Sequence, residues 1–135
     1  MSQPDPFAGT WKMDAQGSKF DPNHRPTEAT MRFEPDGEGY VMHAEGVSGG
    51  RHVQERPVRF IFDGKDHPVP GFPELVAIST RPEPNTILMR GLRGDETVGE
   101  ARYVVSPDGT TLTATVAGTD IEQRVFRSTV VWVRA

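Results

Sequence analysis

His43, Glu45 and His52 are the residues of this chain whose types and spacing come nearest to chemistry. His43 and Glu45 lie two apart, so on a strand they share a face. A turn at Ser48-Gly49 would set His52 against Glu45 and Gln54 against His43. Two imidazoles and a carboxylate on one face could hold zinc or iron(II) with open positions. They could equally serve as a general base and its orienting partner, or make ordinary hydrogen bonds at the rim of a barrel. Arg56 and Arg102 add planar cations. These could clamp a carboxylate or phosphate bidentately, or close an internal ion pair with Glu45 or Glu100. No nucleophile accompanies them: there is no cysteine, and no Gly-x-Ser-x-Gly surrounds Ser18 or Ser79. Gly46-Val47-Ser48-Gly49-Gly50 joins two strands, so it lacks the following helix that a phosphate loop requires.

These side chains need strands to position them. Turn signals recur at Pro35-Asp36-Gly37, Ser48-Gly49-Gly50, Asp63-Gly64-Lys65, Pro82-Glu83-Pro84-Asn85, Arg93-Gly94-Asp95, Pro107-Asp108-Gly109 and Gly118-Thr119-Asp120. Segments rich in Val, Ile, Thr, Phe and Tyr lie between them, the pattern of consecutive hairpins. Strands are expected over 9–14, 27–34, 39–46, 51–62, 75–81, 86–93, 97–105, 111–118 and 123–133. No segment carries a helical period. The fold class is all-β: one antiparallel up-and-down β-barrel of about nine strands, closed, with little or no helix, spanning 1–135. The polar stretch 14–26 is expected to cross one end, and 67–73 to interrupt the hairpin rhythm.

Register decides which side chains turn inward. A three-residue loop at Pro35-Asp36-Gly37 closes Glu34 on Glu38, placing Ala29, Met31 and Phe33 inside with Val41 and His43. The strand after the next turn sends His52, Gln54, Arg56, Val58, Phe60 and Phe62 inward. Pro107-Asp108-Gly109, treated alike, puts Leu112, Ala114 and Val116 inside with Val104, Arg102 and Glu100. The predicted interior has an apolar floor (Met31, Phe33, Phe60, Phe62, Leu112) and a polar wall (His43, Glu45, His52, Gln54, Arg56, Glu100, Arg102). Charged groups inside a small barrel are costly unless paired or wetted, so such a wall implies a solvated cavity. Trp132 and Phe126, if turned inward, would fill much of it.

Composition narrows the classes. Net charge is -4 with both signs interspersed, and no basic cluster interleaves with aromatics, so nucleic acid is not an expected partner. The 14 glycines and 12 prolines serve turns, because apolar alternation continues from Thr27 to Val133. The N-terminus has neither the basic nor the apolar region of a signal peptide. No apolar run approaches the ~20 residues of a membrane span. The expectation is a soluble cytoplasmic protein, monomer or homodimer, with no metal and no cofactor.

Gly9-Thr10-Trp11 resembles the Gly-x-Trp signature that opens the first strand of lipocalins and related calycin barrels. That resemblance implies that Trp11 plugs a closed end under an arginine, Arg134 or Arg127. Gly9-Thr10-Trp11-Lys12, Ser18-Lys19-Phe20 and Asp63-Gly64-Lys65-Asp66-His67-Pro68-Val69 together are similar to small uncharacterised bacterial lipocalin-like proteins over about half the chain. There His67 stands where a tyrosine is usual. No histidine follows His67, whereas haem-binding nitrobindins use one near the C-terminus. The resemblance implies a barrel and supplies no ligand or reaction.

The reading that follows is a binding protein for a small, largely apolar ligand with a polar or anionic end. Its expected contacts are Met31, Phe33, His43, His52, Gln54, Arg56, Phe60, Phe62, Arg102 and Leu112. The alternative is a barrel enzyme (isomerase, cyclase or hydrolase) using His43, Glu45 and His52 as acid/base or metal site. A third reading is a filled barrel that works through surface residues Phe72, Leu75 and Val76.

Overall fold

Alternating β-branched and aromatic residues between glycine turns form strands in register with their sequence neighbours, as a computed structural model of the chain shows. It describes residues 5–19, 28–37, 39–48, 50–54, 57–69, 72–119 and 125–135. The strands are β1 (Gly9–Lys19), β2 (Glu28–Asp36), β3 (Gly39–Ser48), β4 (Arg51–Gln54), β5 (Val58–Phe60), β6 (His67–Val69), β7 (Phe72–Glu83), β8 (Thr86–Arg93), β9 (Glu96–Val105), β10 (Thr111–Thr119) and β11 (Val125–Arg134). They form one antiparallel sheet in the order β4-β3-β2-β1-β11-β10-β9-β8-β7-β6, with β5 also on β3. β1 and β11 pair, which curls the chain into an up-and-down barrel. Among the described residues no ladder joins β4 or β5 to β6, so the expected closure by hydrogen bonds is replaced by a seam. The expected strand 51–62 is divided into β4 and β5, and β6 lies within the stretch expected to be irregular. β1 continues to Lys19 through a register shift after Asp14.

Four registers differ from the sequence expectation. β4 pairs Glu45 with Gln54 and Val47 with His52, not Glu45 with His52 and His43 with Gln54, a shift that leaves the faces unchanged. The other three decide the site. Asp36 pairs with Gly39, leaving a two-residue loop in which Gly37 has φ +60°. A glycine at positive φ suits the tight hairpin turns that match strand twist. Phe33 therefore faces Met42, and Met31 faces Ala44. Tyr40, Met42 and Ala44 turn inward, and Val41, His43 and Glu45 turn outward.

At the 106–111 turn, Ser106 N–H donates to the Thr111 carbonyl at 2.8 Å, closing a four-residue loop. The Asp108 carboxylate makes the larger loop, accepting from Ser106 Oγ (2.6 Å), Thr110 N (3.1 Å) and Thr110 Oγ1 (2.8 Å). These bonds hold its acid below the usual carboxylate range, the Ser106 hydroxyl foremost. Leu112 thus pairs with Val105. Val105, Tyr103 and Ala101 are inside, and Val104, Arg102 and Glu100 are outside.

The last difference lies between β4 and β5. Glu45 faces Gln54 and Met42 faces Val58, so four residues on one side span three on the other. That extra residue, as in a bulge, reverses the faces. Val58 and Phe60 point inward as expected, while His52 and Gln54 point outward. Arg56 lies outside the described residues.

The core sits at the end where β1 begins. Trp11, Phe33, Tyr40, Phe60, Ile87, Val105 and Leu112 are each no more than 1% exposed. Each such side chain contributes about 1.5–3 kcal/mol on burial. Phe33 meets Tyr40 edge-on at 5.7 Å and stacks on Phe60 at 6.0 Å. Trp11 Nε1 donates to the Phe7 carbonyl at 3.0 Å. Arg134, not Arg127, covers the indole, its guanidinium 4.2 Å from the ring centroid. Arg134 also donates to the carbonyls of Gly109, Ala8 and Pro6. This is the plug implied by the Gly-x-Trp resemblance.

The same plug carries a pH signature. Tyr40 Oη donates to Asp5 Oδ1 at 2.5 Å. Burial, then the Asp5 carboxylate, pushes the Tyr40 phenol well above its ordinary value. The neutral phenol is favoured by folding, so its contribution is fully present below about pH 10. It is lost as pH rises from there through the higher folded-state value. Denaturant midpoints measured across alkaline pH should fall above about pH 10, and less steeply in Tyr40→Phe. Equal slopes in the two proteins would show that the phenol is not held neutral.

Candidate functional site

Among the described residues the sealed aromatic core occupies one end of the interior. The strand ends Lys19, Glu28, Ser48, Arg51, Arg93, Glu96, Thr119 and Val125 mark the opposite, open end. Toward it, the inward positions become small. One rung runs His67, Ala77, Gly91, Gly99 and Gly118 across β6 to β10. The next contains Ser79, Met89, Ala101, Val116 and Ser128. Met13 and Ala29 continue this wall on β1 and β2. Most of these are half-buried, unlike the sealed aromatic core. A Cβ built on Gly91 comes no nearer than 4.0 Å to the Gly99 carbonyl, and one on Gly99 no nearer than 3.7 Å to that of Ala117. Among the described residues, each would meet only that one backbone atom, at an ordinary contact distance. Trp132 turns inward as allowed for, but it packs low, paired with Leu112 and Met13. The Phe126 side chain lies outside the description.

The predicted site residues separate into two groups. Met31, Phe33, Phe60 and Leu112 belong to the sealed core, with Phe62 half-buried against it. His43, His52, Gln54 and Arg102 are on the outer face, correcting the expected polar wall. The grouping of His43, Glu45, His52 and Gln54 survives, because both registers of the β3–β4 hairpin put them on one face. That face is the outside, where Thr10, Thr30, Arg32, His43, Glu45 and Gln54 border a concavity of about 310 Å³. His43 Nε2 lies 3.3 Å from Glu34, and His52 Nε2 lies 3.6 Å from Glu45. They are two separate exposed pairs. Among the described residues no three His, Asp or Glu side chains converge as a metal site. Arg102 lines a second outer groove of about 620 Å³ with Leu88, Arg90, Glu100 and Arg127.

His67 and Arg81 are ionisable side chains that the sequence expectation did not place inside, and His67 is the one beside the small-residue rung. It sits opposite Ala77 on the edge strand β6. Its Nε2 lies 3.0 Å from both oxygens of Asp63. Asp63 also accepts from Lys65 N at 2.9 Å, and that bond, then His67, holds its acid below the ordinary value. The motif Asp63-Gly64-Lys65-Asp66-His67 is thus a self-bonded turn with Gly64 at φ +70°.

Solved structures share this arrangement. Zebrafish ileal bile acid-binding protein, complexed with cholic acid, superposes with a TM-score of 0.63 at 12% identity, over 96% of this chain and 99% of that one. The fold is the antiparallel up-and-down β-barrel of that structure. As-p18, an extracellular fatty acid binding protein, matches with a TM-score of 0.52 at 12% identity, over all of both chains. No protein-family model and no curated protein sequence matches this chain. Among the described residues no helix is long and apolar enough to cross a membrane.

Proposed function

We propose that this chain binds a small, largely apolar molecule in the open half of its barrel. The observation that carries the reading is the pair of inward rungs of small, mostly half-buried side chains at Ala77, Gly91, Gly99 and Gly118 and at Ser79, Met89, Ala101 and Val116. A chain selected only for stability would fill such positions with Val and Leu, since interiors pack densely. Concave, mostly apolar sites with few polar groups are where small ligands bind. Two proteins of the same fold are named for lipid-like ligands, a bile acid and fatty acids, which supports the same use of the interior here.

The test is a titration with N-phenylnaphthylamine, an uncharged apolar fluorophore. Gly91→Leu places an isobutyl group on the inward face without backbone strain, because Gly91 is not among the positive-φ glycines. It is expected to weaken the probe by at least about tenfold, or 1.4 kcal/mol. Arg102→Gln, on the outer groove, is expected to leave it unchanged. Unaltered binding in Gly91→Leu would place the probe elsewhere and defeat the reading.

A further inference from the structure

We infer that the ligand is held with its apolar body inward and any charged end outside, in the water at the rim. This rests on the interior being the site. Among the described residues, the two inward rungs from His67 to Gly118 and from Ser79 to Ser128 contain no Lys, Arg, Asp or Glu. Their polar groups are uncharged: Ser79, Ser128 and, below them, Trp132 Nε1. His67 borders the space but is already turned to the Asp63 carboxylate.

The two inward arginines of the plugged end are engaged as well. Arg134 donates to three carbonyls over Trp11. Arg81 donates to the Pro84 carbonyl and lies over the rings of Phe7, Tyr40 and Phe62 at 5.6, 5.3 and 5.9 Å. A carboxylate or sulfonate pushed inward would therefore lose its water and meet no free counter-charge among the described residues. Among the described residues, the cations that remain on the inward parity, Arg51 opposite Ser48 and Arg93 opposite Glu96, are exposed and stand on the last rungs. There an anion would keep its hydration and gain little. Selection then acts on the shape of an uncharged body, and small side chains on several adjacent strands favour a wide one, such as fused rings.

Two probes with one ring system separate the possibilities: N-phenylnaphthylamine and its sulfonated relative, anilinonaphthalenesulfonate. The uncharged probe is expected to bind as tightly as the anion to within about threefold, or more tightly, with both lost in Gly91→Leu. If the anion binds more than about tenfold tighter and is still lost in Gly91→Leu, the charged end is recognised inside. That would overturn the orientation while leaving the interior as the site. If neither probe binds, or if both persist unchanged in Gly91→Leu, the interior is not the site and the inference falls with it.

Discussion

Trp11→Ala is expected to remove about 3–5 kcal/mol of stability, the usual cost of deleting a large buried aromatic. Against a typical total of about 5–15 kcal/mol, that places the variant near the edge of folding. The size follows from what the indole holds together. It is fully buried and joins Phe7 through Nε1. It lies under Arg134 and sits on the paired strands β1, β2 and β11, opposite Met31 and Arg134. Its removal opens the plugged end and leaves the Phe7 carbonyl and the Arg134 guanidinium without their shared partner. Trp11→Phe keeps a ring under the cation and loses the N–H donor, so about 1–2 kcal/mol is expected. Urea unfolding followed by circular dichroism checks the pair. A loss below about 1 kcal/mol in the alanine variant would show that the indole does not support the barrel.

The plug was legible in the sequence because Gly9-Thr10-Trp11 is a local signature with a fixed consequence. The fold class was legible too, since glycine turns and alternating strands repeat along the whole chain. The wall of the interior was not. Face assignment in a hairpin depends on loop length by single residues, and each loop here admits more than one. Gly37 opens a two-residue loop where a three-residue loop with Gly37 last was equally consistent with its type. Asp108 gathers three donors and enlarges its loop by one residue, which turns Arg102 outward and Tyr103 inward. Leu112 and Phe60 were placed correctly because errors on their partner strands did not propagate to them. The open half was hidden for another reason. Ala77, Gly91, Gly99 and Gly118 carry almost no side-chain signal, and they become a site only when the ladder lines them up across four strands.

Gly39→Ala is expected to cost about 3 kcal/mol, more than a surface hairpin position ordinarily would. The residue has no positive φ, so the penalty is contact, not conformation. A Cβ at Gly39 would overlap the Phe60 carbonyl oxygen and lie 3.1 Å from its carbon. Both atoms are backbone, so relief requires β3 and β5 to separate. β5 is held to the sheet only through Tyr40, Val41 and Met42 of β3 among the described residues. Separation therefore withdraws Phe60 from its contacts with Phe33, Phe62 and Tyr103, at 6.0, 6.4 and 5.7 Å. Gly37→Ala is the natural control. Among the described residues nothing lies within 4 Å of a Cβ there, and its φ of +60° sets the cost, about 1–2 kcal/mol for leaving glycine in the left-handed region. Thermal or urea denaturation of the two variants should rank Gly39→Ala as the more damaging. The opposite order would mean that β5 does not approach β3 closely. The aromatic floor of the barrel would then lack the strand that closes it beside the seam, and the open space would extend to the plug.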